Sequence, residues 1–174
     1  AAHNEAGATK ATLDIYRRLK DRSDPTEGND IALWALVAKQ GETNPASLPY
    51  LRRLYSYYPL TDAGRKASAA LKTIASGIRK QDRGERVYRL MELGAWRSVT
   101  ETIQSRLGEY PLTSAQSCRV RYAYGRSQFK RNQITIAAQV LIPVGEKCVG
   151  LDDTNGPKAL YIAGKALERK KEWA

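Results

Sequence analysis

Chemistry in this chain would have to come from few side chains. His3 is the single histidine, which excludes a histidine-based triad and a multi-histidine metal site. The acidic candidates are Asp152 and Asp153, in "GLDDTNGPK", and the carboxylates Glu85, Glu92 and Glu101. The glycines and lysine of that stretch do not have phosphate-loop spacing, and Pro157 lacks an N–H such a loop would use. Neighbouring aspartates can bind a cation, but in a loop their simpler role is to open the next helix. Paired carboxylates serve glycosidases as acid and base. Here the glutamates lie among arginines on amphipathic segments, the setting of solvated ion pairs. No active site and no cofactor motif is legible.

Binding chemistry is better supplied. Lys and Arg number 29 against 18 Asp and Glu, a net charge of +11. That excess favours anionic partners: nucleic acid, anionic lipid, or the acidic peptides of a cell wall. Two basic sets have helical spacing. Arg79, Arg83 and Arg86 follow i, i+4, i+7 across a helix junction, and Arg119, Arg126 and Lys130 follow i, i+7, i+11. Either set could meet carboxylates, with bidentate geometry available to arginine; the plain alternative is a solvated face.

The cysteines, Cys118 and Cys148, are equidistant from a turn expected at 131–133. In an antiparallel hairpin, residues equidistant from the turn lie opposite each other. The pair is therefore placed for a disulfide near the hairpin's open end, which would stabilise by roughly 3–4 kcal/mol. It would also imply an oxidising compartment such as the periplasm. The alternative is two buried free thiols.

These residues must be positioned by helices, because strand signals are almost absent. Leu13, Tyr16 and Leu19 form one apolar stripe; Leu33, Leu36 and Val37 form a second; Val87, Leu90 and Met91 form a third. The spacing predicts helices over 8–22, 30–40, 46–57, 62–80, 83–93, 95–108, 114–131, 133–147 and 157–172. Pro143 predicts a kink or early end in the eighth. "YPLT" occurs at Tyr58–Thr61 and again at Tyr110–Thr113. Each copy reads as a helix end, a proline stop and a capped restart, supplied by Thr61-Asp62 or Thr113-Ser114. No apolar run reaches the roughly 18 residues a membrane-spanning helix needs.

The helix pairs also repeat. Val87, Gly125 and Gly164 fall in one column; Leu90, Gln128 and Leu167 fall three residues later; Trp96, Ile134 and Trp173 fall nine residues after the first. Val99 pairs with Ala137, and Ile103 with Leu141. The pattern resembles the tetratricopeptide repeat, in longer and more degenerate form, with Pro111 ending a unit and an extra helix holding Gly64 and Gly77. It implies an all-α fold of antiparallel hairpins stacked as a right-handed α-solenoid. Residues 1–7 are expected to be a disordered or processed terminus. Residues 8–174 are expected to form one repeat domain, clearest over 83–174.

The stretch "CRVRYAYGRSQFKRNQITIAAQVLIPVGEKC", followed by "KALYIAGKALERKKEWA", resembles the superhelical N-terminal region of soluble lytic murein transglycosylases. The likeness covers roughly 45–174. It implies a non-catalytic scaffold in the periplasm, its signal peptide removed, holding peptidoglycan for the enzyme's own catalytic domain. The family's Glu-Ser pair and Gly-Leu-Met-Gln turn do not occur here, since Met91 is followed by Glu92, so no catalytic residue carries over. The repeat columns place the start of a further helix at Trp173, so the expectation is a longer parent chain. The rival reading is a tetratricopeptide-type adaptor with a protein partner in its concave groove, lined by some of the ten tyrosines. Tyr55, Tyr57 and Tyr58 are expected in core and rim instead. Nucleic-acid binding has only the charge in its favour.

Overall fold

The computed structural model describes residues 29–170. The expected tail 1–7 with His3, the helix over 8–22 and the residues Trp173 and Ala174 lie outside the described residues. Every regular element among the described residues is helical, as expected: α1 Asn29–Gln40, α2 Leu48–Tyr57, α3 Asp62–Thr73, α4 Lys80–Glu92, α5 Trp96–Ile103, α6 Ala115–Lys130, α7 Ile134–Lys147 and α8 Asn155–Lys170. Short 3₁₀ turns lie at Pro45–Ser47 and Gln104–Glu109. No described helix is long and apolar enough to cross a membrane. The chain divides into two compact units after Asp82.

In the first unit the predicted stripe of Leu33, Leu36 and Val37 is buried. Leu33 and Val37 pack with Leu51, Leu54, Tyr55, Tyr58, Ala67 and Leu71. Here "YPLT" acts as expected. Tyr58 is buried, and the Thr61 hydroxyl caps α3 by accepting the Gly64 N–H at 3.2 Å. Gly64 is required by closeness, because a Cβ there would lie 1.8 Å from the Tyr58 carbonyl oxygen.

The helix predicted over 62–80 ends instead at Thr73. Ile74 is extended, and Ser76 sits at a positive φ of 57°. Arg52 reaches from α2 to donate to the carbonyls of Ser76 (2.9 Å) and Gly77 (3.0 Å). A long-range arginine therefore satisfies a turn that local periodicity reads as helix. Asp82 is buried below that turn. It accepts both Arg79 Nε (2.9 Å) and an Arg79 terminal nitrogen (2.8 Å), and lies 3.6 Å from Arg52 Nε.

In the second unit, Val87, Leu90 and Met91 join Val99, Ile103, Tyr110, Val120, Ala137 and Leu141 in one core. The helix expected over 95–108 is α5 followed by the 3₁₀ turn. Arg121 donates to the carbonyls of Leu107 and Tyr110 and so holds that turn. Burial of the guanidinium lowers its pKa. The second "YPLT" begins with Tyr110, fully buried, and the cap of α6 is Ser114, which accepts the Ser117 N–H. Pro143 does not end α7, which runs on to Lys147. Gln139, whose carbonyl loses the proline's missing N–H, is an exposed residue.

Some of the columns have structural counterparts here; Gly164 does not, being exposed with nothing within 4 Å of a Cβ, unlike buried Val87 and Gly125. Trp96 and Ile134 each open a helix, α5 and α7. Val99, Ala137, Ile103 and Leu141 are all fully buried. The turns before those helices are alike bond for bond. Ala95 N–H donates to Leu90 (2.9 Å) and Gly94 N–H to Met91 (3.1 Å); Gln133 N–H donates to Gln128 (2.8 Å) and Asn132 N–H to Phe129 (3.1 Å). Both are Schellman turns with a left-handed residue at their centre, Gly94 at φ 71° and Asn132 at φ 60°.

Candidate functional site

α7 packs against both α6 and α8, and α6 also meets α8. The cysteine pair fixes the first of these relationships. Cys118, in the first turn of α6, and Cys148, at the C-cap of α7, are both fully buried. Their sulfurs are 2.12 Å apart, with Cα atoms 5.9 Å apart, at the open end of the hairpin. The Cys148 carbonyl then accepts the N–H groups of Leu151 and Asp152. Asp152 in turn accepts the Asn155 N–H (3.1 Å) and side-chain amide (2.7 Å) at the start of α8. The acidic pair of "GLDDTNGPK" thus closes turns: the Asp153 carboxylate accepts the Gly150 N–H. Among the described residues no cluster of three metal-ligating side chains occurs.

α6 and α8 leave a groove of about 430 Å³ between them. From α6 come Tyr122, Arg126, Phe129 and Lys130; from α8 come Lys158, Tyr161, Ile162 and Lys165. Both sets have the spacing of one helical face. The lining has four cations and no Asp, Glu, Asn or Gln. Among the described residues no carboxylate forms an ion pair with any of those four cations.

Aromatic rings hold several of the cations in place. Lys165 stands 5.1 Å from the Tyr161 ring centre, and Arg169 stands 4.4 Å from that of Phe129. Arg126 and Lys130 both lie over the Trp96 ring, 5.6 Å and 5.9 Å from its centre. Tyr122 is buried at the base, and burial holds its phenol above the ordinary value of 10.0. The positive charge of Arg126 beside that phenol opposes the shift.

The expected basic residues fare differently. Arg79 and Arg83 engage carboxylates of their own, Asp82 and Glu109, each at 2.8 Å. Arg86 is half-buried on α4 and does not line the groove. Arg119 lies over the Tyr88 ring at 4.8 Å and is also outside the groove. Arg126 and Lys130 are in it. Sequence reasoning missed Lys158, Tyr161 and Lys165, whose i, i+3, i+7 spacing on a predicted helix was the available signal. Glu92 and Glu101 pair with Arg89 and Arg97, one helical turn away, as expected of surface carboxylates.

No protein-family model, curated protein or solved structure matches this chain. The site must therefore be read from its own chemistry. A groove with cations, rings and no acceptor side chain beyond phenols can bind and orient an anion.

Proposed function

We propose that this chain is the non-catalytic helical scaffold of a periplasmic lytic murein transglycosylase, and that it holds peptidoglycan for that enzyme's catalytic domain. The observation that carries the reading is the groove between α6 and α8, whose lining, among the described residues, has four cations and no carboxylate. Murein presents negative charge on its peptides, and a cationic wall would concentrate it. The repeated Schellman turns and matched buried columns support a right-handed stack of antiparallel hairpins, which gives such a wall a continuous core. The buried cysteine bridge supports an exported, oxidising location.

The test is co-sedimentation with purified sacculi. The 174-residue chain should pellet with them at moderate salt. Charge reversal at the exposed groove lysines, Lys130→Glu with Lys165→Glu, should release it. Binding unchanged by both changes would sink the groove as the reason, and no pelleting at all would sink the murein reading.

A tetratricopeptide-type adaptor is the second reading. It is favoured by one observation: Tyr161 is 65% exposed beside the exposed Leu160 on α8. A partner recovered by crosslinking, with no affinity for sacculi, would establish it.

A further inference from the structure

We propose that the groove between α6 and α8 reads the peptide part of its ligand, taking an extended acidic peptide with two free carboxylates two or three residues apart. This deepens the function proposed above and rests on that reading for the peptide's source, the stem peptide of peptidoglycan rather than its glycan strand.

The first ground is the acceptor census. Sugar hydroxyls are donors as well as acceptors, and a glycan site supplies carboxylates or amides to receive them. This lining has none; its polar groups are three lysines, one arginine and two phenols. Lysine offers only donors, and arginine only donors. The lysine and arginine donors fit an ionised carboxylate, which only accepts, and the two phenols can take a backbone N–H of a peptide.

The second ground is spacing. Arg126 and Lys130 are one turn apart on α6, about 6 Å along the helix axis at 1.5 Å per residue. Lys158 and Lys165 are two turns apart on α8, about 10 Å on the same rule. An extended peptide advances about 3.3 Å per residue. Carboxylates two or three residues apart are then about 7–10 Å from each other, between the span of the α6 pair and that of the α8 pair. The rings of Phe129 and Tyr161 and the side chain of Ile162 lie between the charges, where a short apolar side chain of the peptide would rest.

The third ground is preorganisation. Lys165 against Tyr161 and Arg126 against Trp96 are already held by rings, so less side-chain freedom is lost on binding. Phosphate would also suit these cations. The buried disulfide between α6 and α7 argues for an oxidising compartment rather than a nucleic-acid-rich one, and of the groove rings only Tyr161 is broadly exposed for base stacking.

The experiment is a binding titration of the full chain by fluorescence anisotropy. The probes are a labelled peptide Ala-Glu-Ala-Glu-Ala, its Gln-for-Glu counterpart with an amidated end, a peptide-free glycan strand and a short single-stranded oligonucleotide. The acidic peptide should bind, and the amidated one at least tenfold more weakly. Lys158→Gln with Lys165→Gln, both exposed on α8, should weaken the acidic peptide at least tenfold while the circular dichroism melt stays unchanged. Equal binding of the amidated peptide, tighter binding of the glycan or the oligonucleotide, or an unaffected double variant would overturn the proposal. Sacculi separate the two failures. A wild-type chain and a double variant that pellet alike with sacculi would end the groove assignment and leave the scaffold reading standing. A chain that binds the acidic peptide but ignores sacculi would end the murein reading and leave the groove's chemistry.

Discussion

Gly125 on α6 lies directly against Leu141 on α7: a Cβ on the glycine would sit 2.6 Å from the Leu141 Cγ. Leu141 is fully buried and has no room to withdraw. The contact joins α6 to α7, at a position that shares a sequence column with Val87 and Gly164. Gly125→Ala should therefore destabilise, despite alanine's better helix propensity. Overpacking of this kind costs about 1–3 kcal/mol. Urea unfolding of the variant would check it, and a stability at or above wild type would show that α6 and α7 can part without loss.

The disulfide should carry a large share of the second unit's stability. Cys118 and Cys148 close a loop with a sequence separation of 30. In the chain-entropy model such a loop contributes about 3–4 kcal/mol. Cys118→Ala with Cys148→Ala should lower stability by that amount and broaden exchange of amide protons in α6 and α7. Hydrogen exchange would localise the loss; uniform protection in both proteins would place the constraint elsewhere.

Much of this fold was legible because its signals are local. The stripes of Leu33, Leu36, Val37 and of Val87, Leu90, Met91 are period-3.6 patterns that bury as read. The cysteine pairing followed from symmetry about one turn. What was not legible depends on distant partners. Nothing near Thr73 announces that Arg52 will hold the carbonyls of Ser76 and Gly77 and so end α3 early. The basic sets were read by charge and spacing along single helices. Arg79 and Arg83 fit that pattern yet are engaged by Asp82 and Glu109. The groove needed two helices at once, and the partner of Arg126 and Lys130 lies on α8, beyond the loop after Cys148.

The twin Schellman turns make a paired prediction. Gly94 and Asn132 hold the same left-handed position, but only glycine is free of a Cβ there. Gly94→Ala should cost about 1–2 kcal/mol, whereas Asn132→Gly should be neutral or mildly stabilising. Thermal melts of the two variants would show opposite or unequal shifts. Equal losses would mean that the Asn132 side chain contributes something beyond tolerance of its backbone angle.

Tyr122 gives the groove a pH signature. Burial raises its pKa in the folded chain above the ordinary 10.0, against the pull of Arg126. The unfolded chain, with a tyrosine pKa of about 10, therefore releases this proton first. Stability from the group is fully present below about pH 10 and is lost as pH rises through the folded value. Tyr122→Phe keeps the buried ring and removes the titration. Urea midpoints measured at about pH 8, 10 and 11 should fall more steeply for the wild type than for the variant. Parallel declines would mean that the phenol ionises as easily in the groove as in water, and that the base of the groove is open to solvent.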